Sequence, residues 1–393
     1  MRVLLAFDKF KDSLTAPAAC AHAAAALRAL HPDWTLDLCP LADGGEGFCE
    51  ILTRSAGGTI ETHTVTGPRN APTPATLGFV SLSRIPPAAR ALLQIENRES
   101  KIENPSAAIV EMATASGLAL LSPGERDPWQ TTTLGTGELI RLAAARPGVA
   151  AILLGVGGSA TSDLGLGALS ALGLKFLSSS DAAISPPVPS VWSRIARLSG
   201  QLPATLPPIR IACDVTNPLL GPRGAAATYG PQKGLRPADL ARLDHESARL
   251  ARLLCAYCRQ PDSLIDAPGT GAAGGISFGL MAAARAQLLP GFDLVSAWLD
   301  LERRLAAADL IITGEGRFDD TSLTGKGPGA VAARALALGK KVHVFAGAVA
   351  TLAPRAHLTL HAITPPGTPL AQALRDAPAF LEAAVRQAVG RGL

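Results

Sequence analysis

Charge is scarce in this 393-residue chain: Asp, Glu, Lys and Arg make up 17% of it, and the formal net charge is only +4. No long Lys/Arg block occurs, which argues against the basic stripe that a nucleic-acid-binding or membrane-surface protein needs. A small solute is the expected partner. Long apolar runs are missing as well, since no stretch approaches the roughly eighteen uninterrupted apolar residues of a membrane span. The run that opens "MRVLLAFDKFK" reaches charge at Asp8, too soon for a signal-peptide core. These absences set the expectation of a soluble, cytoplasmic protein. The six cysteines (20, 39, 49, 213, 255 and 258) lack the spacing of a disulfide framework. Cys255 and Cys258 form a C-x-x-C with no second pair nearby for zinc, and "RLLCAYCRQ" continues a helical pattern, so a helix face is the expected role. The seven histidines show no metal-ligand spacing, and there is no internal repeat.

What is present is 48% hydrophobic residue and enough length for two domains. β-rich apolar runs alternate with Ala/Leu-rich helical runs, the pattern of an α/β protein with largely parallel sheets. Strands are predicted at 2–7, 107–112, 150–156, 209–215, 309–313 and 341–347, a helix over 16–30 with Pro17 in its first turn, and hairpin or loop material over 63–80. Both ends of the chain read alike. The expected architecture is therefore a doubly wound, flavodoxin- or Rossmann-like domain built from 1–65 plus 290–393, with a second α/β domain, 66–289, inserted in it.

Glycine is concentrated in a few turns. "LLGVGGSATSDLGLGALSALG" follows a predicted strand, and Gly155, Gly157 and Ala160 match G-x-G-x-x-A. Amides at Gly157 and Gly158, with Ser159 and Thr161, suit a phosphate at a helix N-terminus. Asp163 would repel it unless it caps the helix or holds a cation. A second run, "APGTGAAGGISFGL", carries Gly271 and Gly274 after a weak strand. A third, "TGEGRFDDTSLTGKG", places Gly314, Glu315, Gly316 and Arg317 at a strand's carboxyl end, where open α/β sheets put ligands. Its "GK" is not a P-loop, because Asp320 stands where the first glycine is required.

Carboxylates and lysines accompany these turns. "PLADGGEGF" sets Asp43 and Glu46 around two glycines, an arrangement suited to magnesium or to a simple turn. "FDKFKDSL" ends the first strand with Asp8, Lys9, Lys11 and Ser13, a set able to hold an anion; alternatively Asp12 or Ser13 only caps the next helix and the lysines are solvated surface. Asp214 sits at a predicted strand end, placed for a general base, with Lys233 further along the same region. Glu111 lies in an apolar context that demands a partner or a metal. Several strand-end loops thus combine glycine with carboxylate or lysine, the inventory that phosphoryl transfer requires.

The ordered set "FDKFKDSL", "PLADGGEG", "EMATASGL", "TTLGTGELI", "GVGGSATSDLG", "CDVTNPLLGPRGA", "GPQKG", "PGTGAAGG" and "ITGEGRFDDTSLTGK" resembles the type I glycerate kinases across nearly the whole chain. That resemblance implies ATP-dependent phosphorylation of D-glycerate to 2-phosphoglycerate with Mg²⁺, in two α/β domains with the chemistry in the interdomain cleft. Lys9, Asp12, Phe48, Ser162 and Thr270 depart from the residues common in the family, and 82–106 is unlike typical members. On residue chemistry, Asp214 is the expected base, Lys11 and Ser13 orient the substrate carboxylate, and Lys233 or Arg317 offsets phosphate charge. Asp8 joins the substrate set, and Lys11, Asp43 and Asp163 join Asp214 in the catalytic set. Asp43 and Glu315 are the expected metal ligands, with Asp163 an alternative. Gly157, Gly158, Ser159, Thr161, Gly271, Gly274, Gly314 and Gly316 are the expected phosphate and nucleotide contacts. The expected partners are D-glycerate and ATP, without nucleic acid or membrane, in a chain that could form a homo-oligomer. The rival readings are an NAD(P)-dependent hydroxy-acid dehydrogenase, with Asp181 loosely placed for the ribose, and a non-catalytic nucleotide or sugar-acid binding protein.

Overall fold

The structure, a computed structural model, describes residues 1–94, 102–319, 322, 327–350 and 353–390. In chain order its strands are β1 (Arg2–Phe7), β2 (Thr35–Leu38), β3 (Thr59–Thr66), β4 (Pro72–Ser81), β5 (Ser106–Glu111), β6 (Val149–Gly155), β7 (Leu174–Leu177), β8 (Arg197–Gly200), β9 (Ile209–Ala212), β10 (Gln287–Leu289), β11 (Leu310–Phe318), β12 (Lys341–Val349) and β13 (Leu358–Ala362). They fall into two compact units, Met1–Asp43 with Val295–Leu393, and Gly44–Leu294.

The first unit holds a five-stranded sheet in the order β13-β12-β11-β1-β2, every pair parallel. Counted within the unit this is the 2-1-3-4-5 order of a flavodoxin-like sheet. Its central strands β1 and β11 are apolar on both faces because both are covered. Val3, Leu5, Phe7, Leu310, Ile312 and Phe345 pack on helices Ala16–Leu30 and Leu370–Gly390, while Leu4, Ala6, Ile311 and Val344 are buried as the alternate set. Helix Ala16–Leu30 begins where Thr15 Oγ1 accepts from the Ala18 amide (3.3 Å), has Pro17 in its first turn, and stops at His31 before Pro32. Its buried face is mostly alanine and Cys20, which lets it lie close to the sheet.

The second unit has a six-stranded mixed sheet, β10-β9-β6-β5-β4-β3, in which β5, β6, β9 and β10 run parallel and β3, β4 and β5 antiparallel. β7 and β8 form a separate antiparallel pair. An apolar cluster running from Val65 to Ala286 packs on one face of this sheet, with helices Leu134–Ala145, Leu240–Cys258 and Ile276–Ala284 contributing to it, while Phe48, Leu52, Ile109 and Leu153 are buried outside that cluster. Cys255 and Cys258 lie in the last turn of Leu240–Cys258, and burial pushes the Cys255 thiol up to about 11.

Several boundaries differ from the sequence reading. Residues 44–65 fall in the second unit because β3 pairs along its length with β4. β9 stops at Ala212, so Asp214 lies beyond the strand. β11 continues to Phe318 because it ladders with β12 as far as Phe318 and Val349, which places Gly314, Glu315, Gly316 and Arg317 inside a strand. The dissimilar segment 82–106 holds a helix, Pro87–Leu93, and residues 95–101 of it lie outside the described residues. So do Asp320, Gly325 and Lys326.

Candidate active site

In the first unit, β1 and β11 are the neighbours at which the strand order reverses, and ligands of open α/β sheets bind beyond the carboxyl ends at such a point. The Asp8 amide donates to the Gly314 carbonyl (3.0 Å), so β1 delivers Asp8 beside β11. Asp8 is buried (8% exposed) and accepts from the Lys9 amide. Lys9 Nζ pairs with Asp43 at 3.4 Å. Glu315, one residue along β11, is pushed up to about 7 by burial, opposed by a hydrogen bond with Ser322 and reinforced by the charges of Asp8, Asp319 and Asp43. Four carboxylates therefore share one electrostatic environment. Asp319 is the member the sequence reading passed over, although the acidic pair that closes "RFDD" was a signal for it.

The other residues expected nearby are placed otherwise. Arg317 is exposed and pairs with Asp319 (3.3 Å). Lys11 is exposed. Ser13 Oγ donates to the Leu374 carbonyl (2.6 Å), which commits it to helix Leu370–Gly390 rather than to a substrate. Gly314 serves close packing, since a Cβ there would sit 1.9 Å from the Phe345 carbonyl oxygen, whereas a Cβ on Gly316 would make only ordinary contacts with the Lys11 and Phe10 backbone, the nearest at 3.4 Å. Among the described residues no group of three or more His, Cys, Asp or Glu is arranged to hold a metal ion. Two carboxylates suffice for magnesium, which keeps several waters.

In the second unit, the glycines of "GVGGSAT" face another backbone. The Gly157 amide donates to the Gly44 carbonyl (2.9 Å), and a Cβ on Gly157 would lie 2.6 Å from Gly45 Cα. Gly158 has φ +71° and lies under Glu46. The space in which Gly157 and Gly158 were expected to hold a phosphate is thus taken by loop 44–47. The following helix begins only at Leu166, and the anion at its N-terminus is Asp163 itself. That carboxylate accepts from Thr133 N (2.8 Å), Thr133 Oγ1 (2.9 Å), Gly165 N (3.2 Å) and Gly167 N (3.2 Å). Burial pushes its pKa up and these four donors pull it down. Burial is the larger influence, so the carboxyl is held above its ordinary value, and its contacts tie Asp163 to two helix starts.

Lys233, expected to meet phosphate, is 1% exposed; its Nζ donates to Ser159 Oγ (2.9 Å) and the Thr161 carbonyl (2.6 Å). Burial lowers it to about 7, with the charge of Asp163 opposing the fall. It clamps the turn from inside, and Ser159 is spent on that clamp. Thr161 is fully buried as well. Gly271 and Gly274 pack in the same way: a Cβ on the first would meet the Pro218 carbonyl oxygen at 2.2 Å and on the second the Thr161 carbonyl oxygen at 2.0 Å. No strand precedes them, only the 3-10 turn Asp262–Asp266. Glu111 accepts from Gly47 N (3.2 Å) and Cys49 N (3.0 Å) at the start of helix Phe48–Ser55, a structural use of a buried carboxylate. Asp214, half-buried beyond β9, accepts from the Phe292 amide (3.0 Å) at the start of helix Gly291–Trp298.

Two α/β units, with buried and half-buried carboxylates gathered at the carboxyl ends of parallel strands in the first, are the features of an α/β enzyme for a small charged substrate. The chain matches the glycerate kinase family over residues 3–391. It is 35% identical to glycerate kinase of Bacillus subtilis (strain 168), covering 98% of this chain and 96% of that one. It is 36% identical to glycerate 2-kinase of Escherichia coli (strain K12), covering 89% and 86%. The crystal structure of a Salmonella typhimurium LT2 chain assigned as glycerate kinase 2 superposes with a TM-score of 0.73, at 35% identity and full coverage of both chains. The chain belongs to the glycerate kinase family. Among the described residues, no helix is long and apolar enough to cross a membrane.

Proposed function

We propose that this protein transfers the terminal phosphoryl group of ATP to the 2-hydroxyl of D-glycerate, giving 2-phosphoglycerate, with Mg²⁺ as the accompanying cation. The observation that carries the reading is Glu315, a carboxylate whose proton affinity is raised by burial and by Asp8, Asp319 and Asp43 at the reversal point of a parallel sheet, in a chain of this family. Such a crowd of negative charge calls for a cation. Glu315 and Asp43 are the residues that would hold magnesium, which when bound neutralises phosphate charge. Lys9, Lys11 and Arg317 supply positive charge in the same unit for the substrate carboxylate or phosphate. Asp214, fixed through the Phe292 amide, accepts the hydroxyl proton. Phosphoryl transfer asks the protein chiefly for positioning and electrostatic stabilisation, and these groups provide both.

The dehydrogenase alternative is disfavoured. The G-x-G-x-x-A turn is covered by loop 44–47, and Asp181 sits in a turn paired with Arg197 beside the β7–β8 pair rather than ending a second parallel strand.

Phosphorus NMR of the protein with ATP, Mg²⁺ and D-glycerate tests the proposal, with L-glycerate and an EDTA-treated sample in parallel. The expected result is a monoester resonance of 2-phosphoglycerate that needs the D-isomer and the cation, and whose rate falls about 10²- to 10⁴-fold in Asp214→Asn. A 3-phosphoglycerate resonance would overturn the regiochemistry, and no phosphoglycerate would overturn the reaction.

A further inference from the structure

Three of the seven histidines come together in the first unit, away from the carboxylates. Strand alternation puts Lys341, His343 and Phe345 of β12 on one face, and β13 answers with Thr359 opposite His343 and His361 opposite Phe345. Phe345 is in the core beneath helix Leu370–Gly390. Towards the amino ends of the strands the helix offers only Ala384, Gln387 and Ala388, and a cavity of about 630 Å³ opens there. Its polar lining is Lys341, His343, His357, Thr359, His361 and Gln387, with no acidic residue. Glu382 of the same helix is engaged with His22 (2.7 Å) and Arg386 (3.6 Å).

The two inner imidazoles are fixed in place. His343 Nδ1 and His361 Nε2 are 3.0 Å apart, so one donates to the other, and His361 stacks on Phe345 with ring centroids 4.4 Å apart. Burial and the charge of Lys341 push His343 down; burial and His343 push His361 down to about 4. The charged and titratable groups lining the cavity beside the pair are Lys341 on β12 and His357 just before β13, while the helix contributes only the neutral Gln387. Protonation of the pair is disfavoured by burial and then by the neighbouring positive charge.

We propose that this notch binds a small oxyanion, a phosphate or carboxylate group, held by Lys341, the imidazole N–H groups and Gln387. It is separate from the proposed catalytic carboxylates, since Glu315 is in register with Ala346 of β12, which alternation puts on the opposite face of the sheet from His343 and Phe345. A bound anion supplies the missing counter-charge, so binding takes up a proton and strengthens as pH falls from 8 towards the low value of free His361.

The test uses the full-length protein and sulfate, whose charge is constant between pH 6 and 8. With only seven histidines, the imidazole resonances can be followed individually during a sulfate titration, alongside calorimetry at both pH values. Expected are saturable shifts of His343 and His361 with a common midpoint, affinity at least about threefold tighter at pH 6, and a loss of about tenfold or more in Lys341→Met, with glycerate phosphorylation unchanged in that variant. Parallel titrations with inorganic phosphate and malonate assign the group, the tighter binder naming the class. Unmoved His343 and His361 resonances, affinity independent of pH, or unchanged binding in Lys341→Met would each overturn the proposal.

Discussion

Half-buried Glu315 and buried Lys233 are two ionisable groups with opposite consequences. Glu315 is raised to about 7 from an ordinary 4.5, by burial and then by three carboxylates. Between those values the folded protein binds more protons than the unfolded chain, so this group's contribution to stability falls as pH rises through the window and its full cost is present above pH 7. Glu315→Gln is therefore expected to stabilise the cation-free protein by about 1–3 kcal/mol at pH 8, while lowering kcat/KM at least about 10²-fold. Urea denaturation and steady-state kinetics of the same preparation check both halves; a variant that is less stable and fully active would show that the carboxylate is structural. Lys233 runs the other way, lowered from 10.5 to about 7 by burial. From pH 7 to 10.5 the unfolded chain holds more protons, so its contribution becomes more favourable with rising pH, and below pH 7 the cost of burying the ammonium is fully present. Wild type should gain on Lys233→Met as pH is raised from 7 to 10, read as the difference between their urea midpoints, and a flat difference would refute the assignment.

The glycines of 155–158 belong to the scale of elements, because what they meet is the 44–47 loop. A methyl at Gly157 would press on Gly45 backbone at 2.6 Å, and backbone cannot step aside as a flexible side chain can. Gly157→Ala is expected to cost about 1–3 kcal/mol, typical of overpacking, seen as a lower urea midpoint at an unchanged slope. Gly124, with nothing within 4 Å of its added Cβ, is the control position and should tolerate alanine. If the two variants unfold alike, loop 44–47 does not press on this turn. The G-x-G-x-x-A spacing was legible in the sequence and correctly marked a strand-to-helix connection. Its guest was not, because spacing reports that a backbone approaches closely without reporting which one.

For the whole molecule, the two units differ in how the chain builds them. Gly44–Leu294 is continuous and carries its own sheet and apolar cluster, whereas the other unit needs Met1–Asp43 and Val295–Leu393 together, with β1 lying between β2 and β11. Expressed alone, segment 44–294 is expected to unfold cooperatively in urea, and segment 1–150 to give no cooperative transition because β1 lacks β11. Circular dichroism of the two segments decides it, and a folded 1–150 would refute this division of the chain.

The alternation of apolar strands with Ala/Leu-rich helices was sufficient for the α/β class and for most strands of both units, since burial on two faces leaves a local signature. Helix Ala16–Leu30 was legible at its bounds, with Pro17 in its first turn, but its cap is Thr15 and not Asp12 or Ser13. The ordered motifs likewise carried the family. The tertiary structure alone decided which polar residues are neighbours. It gathered Asp8, Asp43, Glu315 and Asp319 from segments nearly three hundred residues apart, and it turned Asp163, Glu111, Lys233 and Ser13 inward to hold helix starts and turns. A carboxylate on a glycine-rich loop reads the same whether it faces a substrate or a helix N-terminus, because both present hydrogen-bond donors and positive charge. Only the long-range pairing of strands selects between them.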